Sequence, residues 1–318
     1  MRYLSPKADL TFKKVFGEHP DLIISFLNAL LPFESADEEI TWVEYLNPEL
    51  VPNNPLGKDS IVDVRCKDRQ GRQFIVEMQM MWTSAYRQRV LFNASKAYVS
   101  QLERGGDYEL LQPVYSLNLV NDTFSDSEDY YHDYRIVEVA ETKQVIEGLR
   151  FIFIELPKFT PKNYGDRKMQ VLWLRYLTEI NEKTREVPEE LLENPEISKA
   201  VTQLEESAFS DAQLLGYDKF WDMVSTAKMQ ISSSRREALA KGRAEGLAQG
   251  LEEGRRKGLE EGREKGLEEG RKEGLEEGRE EGREEERLRN ARAMKAKGYA
   301  LEDIAEITGL PYDKIQAL

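Results

Sequence analysis

The chain contains one cysteine, Cys66, and two histidines, His19 and His132, among its 318 residues. A single thiol excludes a disulfide framework and any cysteine-based zinc module, and two histidines so far apart in sequence give no histidine-rich metal site. Carboxylates are left as the only plentiful metal ligands. Long apolar runs are also missing: none approaches the roughly 18 residues of a membrane-spanning helix, and Met1-Arg2-Tyr3-Leu4-Ser5-Pro6-Lys7 lacks the apolar core of a signal peptide. A cytoplasmic protein with no membrane segment is expected. Basic excess is absent too, since 45 Lys and Arg face 59 Asp and Glu for a net −14, and residues 1–240 alone carry −11. A broadly basic nucleic-acid surface is therefore excluded, and any contact with DNA has to come from a local cluster.

Apolar residues make up 40% of the chain and concentrate before residue 232, so that part can bury a core. Helical spacing runs through Phe12, Val15 and Phe16, breaks at Gly17, and resumes with Leu22, Ile23, Phe26, Leu27 and Leu30. Strand patterns follow at Thr41–Leu46, Ser60–Lys67, Gln73–Met80, Val114–Val120, Tyr134–Ala140 and Arg150–Leu156, with a helix over Ala85–Arg104 and helical spacing from Arg167 to Arg236. This order predicts an α/β (α+β) fold, a mixed sheet flanked by helices. The expected divisions are 1–165, a helical extension 166–236, a charged repeat 237–290 and a small cap 291–318.

The hairpin around Asp68-Arg69-Gln70-Gly71-Arg72 is the most informative segment. Centred on Gln70, its register pairs Val62 with Met78, Val64 with Val76 and Cys66 with Phe74, and it sets Asp63 opposite Glu77. Directly opposed residues have Cβ atoms about 4.5–5.5 Å apart, where two carboxylates repel unless a cation sits between them. Mg²⁺ (or Mn²⁺) needs only one or two carboxylates beside water and phosphate oxygens, and Gln79 shares the face. A solvated face of an amphipathic hairpin produces the same alternation, so the pattern alone leaves both readings open.

Asp63 followed by Glu77-Met78-Gln79 resembles the Asp…Glu-x-Lys core of the PD-(D/E)XK nucleases. Asp9-Leu10-Thr11-Phe12-Lys13-Lys14-Val15-Phe16-Gly17, Phe26-Leu27-Asn28-Ala29-Leu30-Leu31, Ile61-Val62-Asp63-Val64-Arg65, Val76-Glu77-Met78-Gln79-Met80 and Arg89-Val90-Leu91-Phe92 resemble the recombination-promoting nuclease and transposase family of that superfamily, over about residues 1–160. The resemblance implies a restriction-endonuclease-like sheet and an Mg²⁺-dependent DNA endonuclease linked to recombination, mobile elements or defence. Asp63 and Glu77 would bind the metal and, with Gln79, form the catalytic set. Two departures stand out: Val62 replaces the motif proline, and Gln79 replaces a lysine that positions the attacking water. A neutral amide orients water by hydrogen bonding without adding positive charge, so a lysine at position 79 is expected to preserve or raise activity. Lys13, Lys14, Arg89 and Lys96 are candidates for a substitute cation, the last two on a helix face shared with Asn93 and Ser100. The family's first-helix acid makes Asp9 a third carboxylate near the metal, and helix capping is its alternative role. A different class stays open, a catalytically weak DNA-binding or assembly protein of the same fold.

From Gly242 to Gly282 glycine recurs at every fourth position, eleven times, and Leu251, Leu259, Leu267 and Leu275 add an eight-residue period. Glu252 with Arg256, Glu253 with Lys257, Glu261 with Lys265 and Glu268 with Lys272 favour a helix. Eleven interior glycines cost on the order of 10 kcal/mol relative to alanine, so the helix either frays as a charged spacer or admits a close neighbour. A homo-oligomer formed through this segment is the expected partner arrangement. The end of the chain resembles a helix-turn-helix, with Ile304, Ala305, Leu310, Ile315 and Leu318 at apolar positions and Gly309 at the turn. Its second helix offers only Tyr312, Lys314 and Gln316 to DNA, and a packing cap is the other reading.

Overall fold

Two short helices open the structure, α1 (Asp9–Glu18) and α2 (Pro20–Leu30). Their break falls at His19 rather than Gly17 because Pro20, with no N–H to continue α1 and a fixed φ suited to a first turn, starts the second helix. The computed structural model describes residues 2–50, 60–103, 105–161 and 168–318. The chain divides into two units, Met1–Ile231 and Ser232–Leu318.

In the first unit β1 (Glu44–Tyr45), β2 (Glu49–Leu50), β3 (Ser60–Ile61), β4 (Val64–Lys67) and β5 (Gln73–Gln79) lead into α3 (Tyr86–Val99), followed by β6 (Val114–Val120), β7 (Tyr131–Val137) and β8 (Val145–Glu155). Helices α4 (Lys168–Glu179), α5 (Glu189–Leu192) and α6 (Pro195–Thr202) follow, and α7 (Asp211–Ala296) has its first turns in this unit and its remainder in the second. Six strands form one mixed sheet in the order β1-β4-β5-β6-β8-β7, with β5, β6 and β8 mutually parallel, while β2 and β3 pair separately. The fold is mixed α+β. The expected β6 matches residue for residue, whereas Thr41–Leu46 shortens to β1, Tyr134–Ala140 shifts to β7, and Arg150–Leu156 lengthens to β8. The β7–β8 pair continues past its apolar residues because backbone pairing, not burial, holds its outer half. Arg104 and Arg167, the expected end and start of two helical stretches, lie outside the described residues.

One face of the sheet packs Val64, Cys66, Phe74, Val76, Leu117 and Ile152 against α1, α2 and α4. Phe16, Phe26 and Trp173 meet there, the Trp173 ring 5.5 Å from Phe16 and 5.3 Å from Phe26. The other face buries Ile75 and Val114 beneath Ala94 and Ala97 of α3. With both faces covered, β5 is buried from Gln73 to Glu77, and a solvated hairpin face is overturned at Glu77.

The β4–β5 register pairs Val64 with Val76 and Cys66 with Phe74 as expected. The Asp68 carboxylate sets it by accepting the Gln70 and Arg72 backbone N–H groups and the Arg72 Nε at 2.6 Å, while Gly71 turns the chain at φ +84°. Beyond Val64 the expectation fails. Ser60–Ile61 leaves to pair with β2, Val62 and Asp63 form a break, and Asp63 is not a ladder partner of Glu77. Its carboxylate instead accepts the Met78 N–H at 2.7 Å, a side chain standing in for the missing strand.

In the second unit the glycine repeat is helical throughout, and a Cβ added at any glycine from Gly242 to Gly282 meets nothing within 4 Å beyond its chain neighbours and the adjoining turns of its own helix backbone. Helices α8 (Leu301–Thr308) and α9 (Tyr312–Ala317) pack Ile304, Leu310 and Ile315 on Ala291, with Gly309 at φ +69° between them. Lys314 is ion-paired to Glu284 at 2.5 Å, which engages the main cation of the last helix in holding the cap. No helix among the described residues is long and apolar enough to cross a membrane.

Candidate active site

The break before β4 and the end of β5 bring two carboxylates to one cleft of about 920 Å³, lined by Asp63, Glu77, Gln79, Arg89, Asn93, Asp9 and Lys7 among others. Asp63 is oriented by the Met78 N–H, and Glu77 Oε1 accepts from Asn93 Nδ2 at 3.0 Å. Burial raises the proton affinity of both groups. For Asp63 the Met78 hydrogen bond opposes the rise; Glu77 is pushed up to about 7, first by burial and then by the Asp63 charge, with Arg89 and Asn93 opposing.

Arg89 lies across this pair. One of its guanidinium N–H groups donates to Gln79 Oε1 at 2.6 Å and stands 3.5 Å from Glu77 Oε2, and the guanidinium lies 4.7 Å from the centre of the Tyr86 ring. Gln79 Nε2 donates to the Met81 carbonyl at 2.6 Å. Both ends of the Gln79 amide are therefore engaged, and the side chain holds Arg89 rather than presenting a free amide to water. A cation supplied from α3 is thus hydrogen-bonded to the residue that stands where the motif has lysine.

Asp9 lines the cleft but pairs with Lys13 at 2.7 Å, makes no capping hydrogen bond, and joins no three-ligand set. Among the described residues no group of three or more His, Cys, Asp or Glu is placed to hold a metal, and Asp63 and Glu77 are the two carboxylates held at the floor of the cleft. Lys13 faces the neighbouring cleft, and its charge lowers both carboxyls. Lys14 donates to the Ala208 carbonyl over the Phe209 ring, Lys96 donates to the Leu50 carbonyl, and Ser100 bonds Ala97, so these three fasten the fold outside the cleft. Sequence reasoning missed Lys7, whose ammonium donates to Asn121 Oδ1 at 3.0 Å; it precedes α1, where no periodicity marks it. The donor set fits a hard divalent cation, with two carboxylates short of compensating charge and two buried unpartnered oxygens, Asn93 Oδ1 and Ser60 Oγ, on cleft residues.

A model of the family described as PD-(D/E)XK nuclease family transposase matches residues 6–233. The chain belongs to this family. The match spans the sheet, both carboxylates and the first turns of α7, and it supports a nuclease- or transposase-like function that implies contact with DNA. Nucleases of the PD-(D/E)XK family generally use divalent metals. No curated protein and no solved structure matches the chain.

The raised Glu77 carboxyl has a consequence for stability. Because its folded pKa of about 7 lies above the ordinary glutamate value of 4.5, the native state holds the proton more tightly than the unfolded chain. That contribution is complete below about pH 4.5 and is lost as pH rises through about 7. In EDTA, Glu77→Gln is expected to remove a decline on the order of 3 kcal/mol between pH 5 and pH 8, read as the difference between wild-type and variant urea melts.

Proposed function

We propose that this chain is a divalent-metal-dependent DNA endonuclease using Mg²⁺ or Mn²⁺, hydrolysing phosphodiester bonds in recombination, mobile-element movement or defence. The observation that carries the reading is the pairing of buried Glu77 with partly buried Asp63, each carboxylate held by a hydrogen bond and both raised in proton affinity. Asp63 and Glu77 would hold the ion. When bound, it supplies Lewis acidity towards the phosphodiester and makes water more acidic. The chain's own contribution is orientation: Met78 N–H fixes Asp63, Asn93 Nδ2 fixes Glu77, and Gln79 aims the Arg89 guanidinium at the charge that develops on phosphorus oxygens. Supercoiled plasmid incubated with the protein should be nicked in Mg²⁺ or Mn²⁺ and remain intact in EDTA. Plasmid untouched under both conditions would favour the second reading, a weakly catalytic DNA-binding or assembly protein, which the −11 charge of residues 1–240 supports.

Self-association through the glycine repeat belongs to the same proposal. Leu251, Leu259, Leu267 and Leu275 are between 53% and 67% exposed, and a Cβ added at the glycines would meet open space beyond their own helix backbone. Changing Gly254, Gly258, Gly262 and Gly266 to alanine adds several kcal/mol of helix propensity to an isolated helix, at about 1 kcal/mol each. If copies pack through these glycines, the added methyl groups clash and weaken association instead. Light scattering is expected to show an associating wild type and a more weakly associating variant; a monomeric wild type, or equal association of both, rejects the packing.

A further inference from the structure

Lys7 lines the same cleft as Asp63, Glu77 and Arg89, and among the described residues it forms no ion pair with a carboxylate. The other cations near the cleft are engaged: Lys13 pairs with Asp9 at 2.7 Å, and Arg89 is bound to Gln79 beside Glu77. The one hydrogen bond of the Lys7 ammonium goes to a neutral acceptor, Asn121 Oδ1, which leaves two of its three N–H groups for a ligand; the charges of Glu182 and Lys228 act on it in opposite senses without an ion-pair contact. Its position is set on both sides. The backbone N–H of Asn121 donates to the Gln79 carbonyl at 2.8 Å, which ties the ammonium to the end of β5. The segment before it is pinned by Leu4 N–H to the Leu204 carbonyl, Ser5 N–H to the Tyr217 hydroxyl, and the Thr11 hydroxyl to the Ser5 carbonyl.

Building on the nuclease reading above, we propose that Lys7 binds a backbone phosphate of the nucleic acid beside Asp63 and Glu77, so that the substrate is gripped by Lys7 from the α1 side of the sheet and by Arg89 from the α3 side. A phosphodiester anion approaching Asp63, Glu77 and Asp9 meets three carboxylates, and two of the nearby cations are already engaged. Lys7 is the cation placed to offset that repulsion. In a body of net −11 few phosphates are neutralised, so removal of one cation is a measurable fraction of the whole salt dependence.

The test measures binding of short single-stranded and duplex DNA across a range of KCl concentrations, with Ca²⁺ in place of Mg²⁺, and cleavage of the same DNA in Mg²⁺. Lys7→Met should reduce the slope of log affinity against log salt by about 0.7 on single strands and about 0.9 on duplex. Its cleavage should fall about 100-fold, while Lys7→Arg keeps the wild-type slope. Asn121→Ala, which removes the tether and leaves the charge, should also keep that slope. Lys7→Met with an unchanged slope overturns the assignment, and so does an Asn121→Ala variant that reproduces the Lys7→Met loss, because Lys7 would then be a tether only. Should Lys7→Met fail to melt cooperatively, Lys7→Gln is read by the same two measures. A wild type that neither binds nor cleaves DNA overturns the nuclease reading together with this one, whereas a cleaving wild type matched by Lys7→Met overturns this one alone.

Discussion

Glu77→Gln is expected to reduce divalent-metal-dependent cleavage by about 10³-fold or more, the equivalent of several kcal/mol of charge stabilisation, while the protein stays folded. The amide is close in shape to the carboxylate and keeps an oxygen for Asn93 Nδ2, so what is lost is the negative charge that holds the ion. Asp63→Asn should have an effect of the same size and retains an acceptor for the Met78 N–H. Asp63→Ala is a poorer test because it also orphans that N–H, at a cost of about 1–3 kcal/mol. Plasmid nicking read beside urea melts separates lost chemistry from lost structure. A folded Glu77→Gln protein that nicks at the wild-type rate would remove Glu77 from the metal site.

Arg89→Met is expected to slow cleavage about 100-fold with Mg²⁺ binding retained, since it removes a preorganised donor rather than a ligand. Arg89→Lys should recover only part of this, because a point charge cannot span Gln79 Oε1 and Glu77 Oε2 as the guanidinium does. The arrangement also changes what a lysine at position 79 should do. In the wild-type background Gln79→Lys removes the acceptor that aims Arg89 and places two cations together, so the gain expected from the motif should not appear. Combined with Arg89→Met the same lysine has room and should restore activity, a sign reversal that a double-mutant cycle reads directly. Wild-type turnover by Arg89→Met would show that no cation from α3 is needed.

The sequence made the sheet legible where burial is continuous or the turn chemistry is local. Val114–Val120 reads as a strand because Val114, Tyr115, Leu117, Leu119 and Val120 crowd a short segment, interrupted only by Ser116 and Asn118, and β6 is covered on both faces; Asp68 with Gly71 announces the hairpin whose register sums through Gln70. The break at Asp63 was hidden because Ile61-Val62-Asp63-Val64 alternates like any strand, and only the pairing of Ser60–Ile61 with Glu49–Leu50 diverts it. Asp63 and Glu77 still meet, through a Met78 hydrogen bond rather than through opposed ladder positions. Helical spacing put Arg89 and Asn93 on one face, but it was the packing of α3 over β5 that brought that face to Glu77 and sent Lys96 to the Leu50 carbonyl instead. Lys7 had no local signal, since its place depends on contacts with residues 121, 204 and 217.

That Asp63 and Glu77 together hold one divalent cation is tested most directly by titrating Mn²⁺ into the purified, metal-stripped protein and counting bound ions by electron paramagnetic resonance. Wild type should show saturable binding that strengthens as pH rises through about 7, where Glu77 gives up its proton, and both Glu77→Gln and Asp63→Asn should lose it while melting as folded proteins. Folded variants that bind Mn²⁺ with wild-type affinity, or a wild type that binds none, would contradict the carboxylate pair as the metal site.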